Sequence, residues 1–283
     1  MDDLGSVDGV DRVADRAGRR LGWRGGVAAA VVLILAATGY VLYARGHAVG
    51  ASDACHRRSA AASTSACLRA LPGLPPMVEL VVTAAGRETR HEIPGIPSRL
   101  QVSPSGRMVS FTVFVSGDSY NTAGFSTRTG IFDTSNDELR KSIEDIPLTV
   151  GGQRYFAPDL NFWGVTFTAD DSTFYATAAS RGRTHLIRAD YRTWEAEALR
   201  DNVECPSLSP DGTRLAFKKR VEPGPWRLHV LDLATMAETP LAETRSVDDQ
   251  AVWPDADTVG YGLADERWTV PADGSGPPQV TRG

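Results

Sequence analysis

The chain has 283 residues, 42% of them hydrophobic and 23% charged, which is the composition of a folded protein with one large or two ordinary domains and excludes disorder throughout. Its net charge of −5 gives no broad basic field, so attraction to nucleic-acid phosphates is not expected. Only Lys141, Lys218 and Lys219 among the 30 basic residues are lysines, a bias that points to a GC-rich bacterial genome rather than to a binding device.

The first element in chain order is the apolar run VAAAVVLILAATGYVLYA at residues 27–44, bounded by Arg24 and Arg45. As a helix it covers about 27 Å, just enough for a hydrocarbon core of roughly 30 Å. Arg12, Arg16, Arg19, Arg20 and Arg24 precede it, and Arg45, Arg57 and Arg58 follow. The positive-inside rule therefore makes residues 1–26 a cytoplasmic segment, 27–44 a transmembrane helix, 45–53 a linker and 54–283 an extracytoplasmic domain. A signal peptide cleaved near Ala51 is the rival reading; it too exports the body, as a secreted protein.

An oxidising compartment permits disulfides. Cys55 and Cys67 are close in sequence and form the expected pair, with Cys205 left over. The alternative is that all three are small buried apolar residues. No second close Cys or His pair completes a four-ligand metal site, so neither metal nor cofactor is expected.

A repeat organises the rest. In SLSPDGTRLAFKKR, Ser209 is preceded by Leu208 and followed by Pro210-Asp211-Gly212, with apolar Leu215 and Phe217 beyond the turn. The same grid fits at Ser103 (Val102, Pro104-Ser105-Gly106, Val109, Phe111), at Thr168 (Phe167, Ala169-Asp170-Asp171, Phe174, Ala176) and at Trp253 (Val252, Pro254-Asp255-Ala256, Val259, Tyr261). Proline fixes φ, and glycine accepts positive φ to launch the next strand, so each copy is a hairpin whose second strand turns one face inward. A third strand ends in Asp133, Asp190, Asp232 and Asp273, the last three recurring about every 42 residues, and a short fourth segment follows, as in TPLAE (239–243) and PQVTR (278–282).

Four short strands in a unit of about 42 residues indicate a propeller blade, and such blades need neighbours to cover their faces. MVELVVTAAGRETRHEIPG (77–95) supplies the third and fourth strands of an earlier blade, whose first half falls around Cys55 and Cys67. The fold class is thus an all-β propeller with five visible blades, closing with five or six. Ser103 and Thr168 lie 65 residues apart, about 23 beyond the period, and the excess falls near residues 114–130 and 149–164. Insertions of this kind build recognition surfaces in propellers. Tyr120, Phe125, Tyr155, Phe156, Phe162 and Trp163 cluster there and form the candidate binding surface, Trp and Tyr being frequent at hot spots. The competing reading places Phe162 and Trp163 in the gap between blades.

LSPDGTRLAFKKR followed by WRLHVLDLATMAETPLAE resembles the TolB-like propeller repeat. The resemblance covers residues 97–283 well and 52–96 loosely. VFVSGDSY, GFSTRT, NFWGVTF and NVECPSLSPDG, with the N-terminal anchor, resemble single-pass actinobacterial TolB-like membrane proteins of unassigned function. The resemblance implies a six-bladed, extracytoplasmic, non-enzymatic module; this chain departs from it in showing five blades.

Little in the chain points to catalysis. No G-x-S-x-G nucleophile elbow occurs, and no segment of hydrolase size is left over. His185 and His229 read as half-exposed strand residues, and the acidic pairs Glu144-Asp145, Asp170-Asp171 and Asp248-Asp249 as turn or edge residues. The function expected is therefore a membrane-anchored binding module for a protein or envelope component, not an enzyme. The alternatives are an extracytoplasmic hydrolase or lyase with a site at the propeller mouth, and a ligand-sensing domain.

Overall fold

The computed structural model describes residues 54–115, 126–221 and 226–281. The expected cytoplasmic segment, membrane span and linker lie outside the described residues, as do Tyr120 and Phe125. Among the described residues no helix is long and apolar enough to cross a membrane.

Strands and turns account for the fold, and they form five sheets. The first contains β1 (Arg57–Ala61), β2 (Thr64–Leu71), β3 (Met77–Ala84) and β4 (Arg87–Pro94), paired antiparallel in sequence order. The second repeats this with β5 (Ile96–Val102), β6 (Met108–Val115), β7 (Ser126–Asp133) and β8 (Glu138–Arg140). The first half of the first blade, expected around Cys55 and Cys67, is β1 and β2. Cys55 and Cys67 are joined by a disulfide that ties the chain's entry to β2, while Cys205 is a free, buried thiol.

The third blade departs from the four-stranded unit. After the β8 edge, β9 (Leu148–Val150) and β10 (Gln153–Tyr155) form a hairpin; then come β11 (Asn161–Phe167), β12 (Thr173–Ser180), β13 (Arg183–Asp190) and β14 (Glu195–Asp201). β9 pairs parallel to β14, so the sheet has six strands in the order β10-β9-β14-β13-β12-β11. Part of the second stretch of excess, in β9 and β10, has thus become sheet. The fourth blade is β15 (Glu204–Leu208), β16 (Arg214–Arg220), β17 (Trp226–Asp232) and β18 (Glu238–Pro240). The fifth has β19 (Thr258–Leu263), β20 (Glu266–Pro271) and β21 (Gln279–Val280), its innermost strand reduced to one bridge between Val252 and Gly260.

The repeat's anchor residue has a definite role. The hydroxyls of Ser103, Thr168 and Ser209 accept the backbone N–H of Met108, Thr173 and Arg214, each five residues on, and so close the turn. Gly106, Asp171 and Gly212 take the positive φ that the turn requires. Trp253 has no such hydroxyl, in the blade where the innermost strand is nearly lost.

Apolar clusters fill the junctions between sequence-adjacent blades. Leu68, Val78 and Leu80 meet Phe111 and Val113; Met108 and Ile131 meet Phe162 and Phe174; Leu186 meets Leu215 and Phe217; Val230 and Leu241 meet Val259 and Tyr261. Burying each large side chain contributes about 1.5–3 kcal/mol, so every blade depends on its neighbour. No apolar cluster among the described residues joins the fifth blade to the first. The outward face of the first blade instead carries an ion ladder, Arg69 to Glu79 and Arg90 to Glu79 and Glu88.

Strand direction defines two ends. β1, β5, β11 and β15 all begin at one end, where β6 and β12 finish and β7 and β13 start. The anchor turns at Ser103, Thr168 and Ser209 lie at the other end.

Candidate functional site

Residues 141–160 leave the β8 edge, enter the third sheet and return to start β11, and their path encloses a cavity. The Ile143 N–H donates to the Thr129 carbonyl at 2.8 Å, extending the outer edge of the second blade alongside β7. Gly151 and Gly152 then turn β9 into β10 with φ of 57° and 76°. The Tyr155 hydroxyl donates to Ser180 at 2.9 Å, Ser180 donates to Asp159 at 2.7 Å, and the Arg181 N–H donates to Asp159 at 2.6 Å. These bonds hold the Asp159 carboxyl below the usual carboxylate range, the Ser180 hydroxyl contributing most. Asn161 joins the two blades by accepting from the Ser126 hydroxyl at 2.6 Å and the Thr127 N–H at 2.9 Å.

The resulting cavity has a volume of about 700 Å³ and lies between the start of β7 (Ser126, Thr127, Arg128), Ser142 with residues 144–148, and residues 154–158 and 160. Small-molecule and peptide side-chain sites have volumes of about 300–1,000 Å³. Glu144 faces it with Oε1 accepting the Thr129 N–H at 2.9 Å and Oε2 accepting the Ser142 hydroxyl. Burial pushes the Glu144 carboxyl above its ordinary range, against these hydrogen bonds and the charge of Arg128. Arg154, Tyr155 and Phe156 form the opposite wall, and the Arg181 guanidinium stands 5.7 Å from the centre of the Tyr155 ring.

The predicted aromatics thus separate. Tyr155 and Phe156 line the cavity, and Phe156 is 88% exposed. Phe162 is fully buried in the cluster between the second and third blades and is removed from the binding surface: β11 turns it toward Met108 and Ile131. Trp163 is half-buried on β11, paired with Thr177, and does not line the cavity. Glu144 is a cavity residue rather than a plain edge residue; it lies outside both stretches of excess sequence, 114–130 and 149–164, and the repeat carries no signal for it.

A second polar group sits where the innermost strands begin. Arg99 on β5 reaches the Asp248 carbonyl at 3.0 Å, and the buried Lys218 ammonium reaches the same carbonyl at 3.1 Å and the Asp248 carboxylate at 2.8 Å. Burial raises the Cys205 thiol pKa, opposed by Lys218 and Arg99. Each charge here has an internal partner, which describes a tie between blades. His185 and His229, expected half-exposed, are buried beside Asp201 and Glu238, with Nδ1 to carboxylate distances of 2.6 Å and 2.7 Å. Among the described residues no group of three His, Cys, Asp or Glu side chains is placed to hold a metal ion.

No protein-family model matches the chain, and no curated protein sequence matches it. Solved structures do. TolB from Acinetobacter baumannii is 18% identical and superposes with a TM-score of 0.56 over 78% of this chain and 53% of its own. The fold is that of a TolB-like β-propeller. An oligogalacturonate lyase in complex with manganese is 11% identical, with a TM-score of 0.51 over 79% of this chain and 63% of the lyase. The chain spans about half the length of the Acinetobacter TolB. At such identities the likeness establishes the TolB-like fold alone, and one fold carries binding and catalytic proteins alike.

Proposed function

We propose that this TolB-like propeller is a membrane-anchored, extracytoplasmic module that binds a protein or envelope component in the cavity between its second and third blades and leaves it chemically unchanged. Residues 27–44 form the anchor and residues 45–53 the linker. The observation that carries the reading is the cavity's construction. Residues beyond the repeat build its walls, the Tyr155–Ser180–Asp159 relay fixes one wall, and Phe156 is held 88% exposed at the rim. An exposed aromatic beside fixed polar groups is the makeup of a recognition hot spot. The polar groups around it, Glu144, Asp145, Arg128 and Arg154, offer both charge signs and suit a zwitterionic or mixed-polarity segment better than a purely acidic or basic one.

A photo-crosslinking amino acid at Phe156 in the full chain, expressed in its native membrane, tests this. One discrete adduct is expected at 156 and none at Asp211, and Arg154→Ala should weaken the adduct. No adduct at 156, or equal yields at both positions, would remove the support.

A further inference from the structure

The blades finish their outer edges in different ways. β8 and β18 are three residues long and β21 two, and β14 is joined along its outer side by β9. β4 differs from all of these: it runs for eight residues, Arg87–Pro94, and no strand among the described residues pairs with its outer side. Short or covered edges are an ordinary defence against strand addition, and β4 has neither.

The register shows what β4 offers there. The Gly95 N–H donates to the Pro76 carbonyl at 2.9 Å, and Ala85 and Gly86, both at positive φ, make the two-residue turn between Ala84 and Arg87. Odd-numbered residues therefore turn their backbone groups to β3, and Glu88, Arg90 and Glu92 direct theirs outward. The side chains of these three are exposed on one face of the sheet. Thr89, His91 and Ile93 take the other face, toward the second blade, where the His91 ring centre lies 4.8 Å from that of Phe132.

The charges on the exposed face are not balanced within the chain. Arg90 pairs with Glu88 and Glu79, and Arg69 with Glu79. Glu92 stands directly opposite Glu79 in the β3–β4 register and has no cationic partner among the described residues. Like charges placed opposite each other weaken a strand pair. Glu92 thus lacks a cation, and the open side of β4 is where one can approach.

A second copy of β4 supplies it. When identical strands pair antiparallel about a two-fold axis, residues of one face stay opposite one another, so only alternate registers are open. With Arg90 on the axis, arginine meets arginine and Glu88 falls opposite Glu92, so every charged contact repels. With Thr89 on the axis, Glu88 meets Arg90, but the overlap shortens and Glu92 stays unpaired. With His91 on the axis, Arg90 falls opposite Glu92 twice, at positions where both backbone bonds are exchanged, and the overlap runs from Glu88 to Pro94. Burial holds the His91 pKa below its ordinary value, so the two imidazoles meet uncharged at neutral pH.

We infer that β4 is a self-association edge, at which two copies of the chain join their first blades into one continuous sheet centred on His91, with Arg90 of each copy against Glu92 of the other. A single strand pair buries less than the roughly 1,200 Å² of a stable interface, so the association is weak and reversible.

The test uses the full chain in detergent at about 100 μM, where pairs with dissociation constants in the micromolar range are populated. Cys55 and Cys67 are already joined and Cys205 is buried, so an introduced thiol is the one available to oxidation. His91→Cys should form a disulfide between copies, because facing residues at a non-hydrogen-bonded position bring their Cβ atoms within about 5 Å. Thr89→Cys, on the same face of the same strand, should not. Cross-linking at 89 alone, equal yields at both positions, or none at either would overturn the inference. In the His91→Cys background, Glu92→Arg sets arginine against arginine twice and should lower the yield about tenfold with the melting profile unchanged. Arg90→Glu combined with Glu92→Arg restores opposite charges between copies, returns a cation to Glu79 and should recover the yield. A yield indifferent to Glu92→Arg, or a folded double variant that fails to recover it, would also overturn the pairing.

Discussion

The hydroxyl of Tyr155 donates to that of Ser180 at 2.9 Å, although β9, β14 and β13 lie between their strands in the pairing order of one sheet. The six-stranded blade therefore curls until its outer edge meets the end of β12, and that curl makes the cavity wall. Tyr155→Phe keeps the ring, removes the hydroxyl and leaves the Ser180–Asp159 bond in place. It is expected to cost about 1 kcal/mol, the usual net worth of one such bond, read as a lower denaturation midpoint at constant slope. The Phe156 adduct should fall as well, because the rim loses its fixed position.

Backbone conformation gives a second prediction. Gly164 has φ of 66° at the β11 irregularity, and a Cβ there would lie 2.7 Å from the Cα of Cys205, itself at φ 50° in the corresponding bulge of β15. The two bulges of neighbouring blades touch, and backbone cannot move aside as a flexible side chain can. Gly164→Ala is expected to cost about 3 kcal/mol, from the positive φ and the clash together. Gly212→Ala, at φ 72° with nothing within 4 Å, should cost about 1 kcal/mol. Equal losses in chemical denaturation would contradict this packing.

How far the residues announced this arrangement depends on which force decided each element. The hairpins at Ser103, Thr168 and Ser209 were legible because local turn chemistry dictates them: a hydroxyl, a φ-fixing or short residue and a positive-φ position recur at fixed offsets. The first half of the first blade was legible as a location around Cys55 and Cys67 but not as two strands, because that blade buries one face only and Arg57, Arg58 and Arg69 interrupt the apolar pattern. The parallel joining of β9 to β14 brings together segments about 50 residues apart and has no local signature. The site was half legible. Aromatic enrichment found Tyr155 and Phe156, but Glu144 owes its place to the path of the 141–160 excursion, which no periodicity encodes.

Acid should loosen the junction of the fourth and fifth blades. Burial works to raise the Glu243 pKa, but it accepts from the Arg245 N–H at 2.8 Å, from the Arg245 guanidinium and from the Tyr261 hydroxyl, and is held at about 2. An unfolded glutamate titrates near 4.3, so the unfolded chain binds more protons between those values. The contribution is complete above the unfolded pKa and disappears as pH falls through the folded one. It amounts to about 2 kcal/mol. Stability measured from pH 6 to pH 2 should fall more steeply for the native chain than for Glu243→Gln, which starts lower.

Phe156 and Phe162, six residues apart, provide the sharpest separation of fold from function. Phe162 is fully buried among Met108, Ile131 and Phe174, so Phe162→Ala opens a cavity between two blades and is expected to cost about 3–5 kcal/mol. Phe156 is 88% exposed and supports no cluster, so Phe156→Ala should change stability by less than about 0.5 kcal/mol. Its effect belongs to recognition: adduct formation from a crosslinker placed instead at Arg154 should drop severalfold in Phe156→Ala with the melting profile unchanged. A Phe156→Ala chain that unfolds early, or that crosslinks from position 154 as well as the native chain does, would return this aromatic to a structural role and leave the cavity without its anchor.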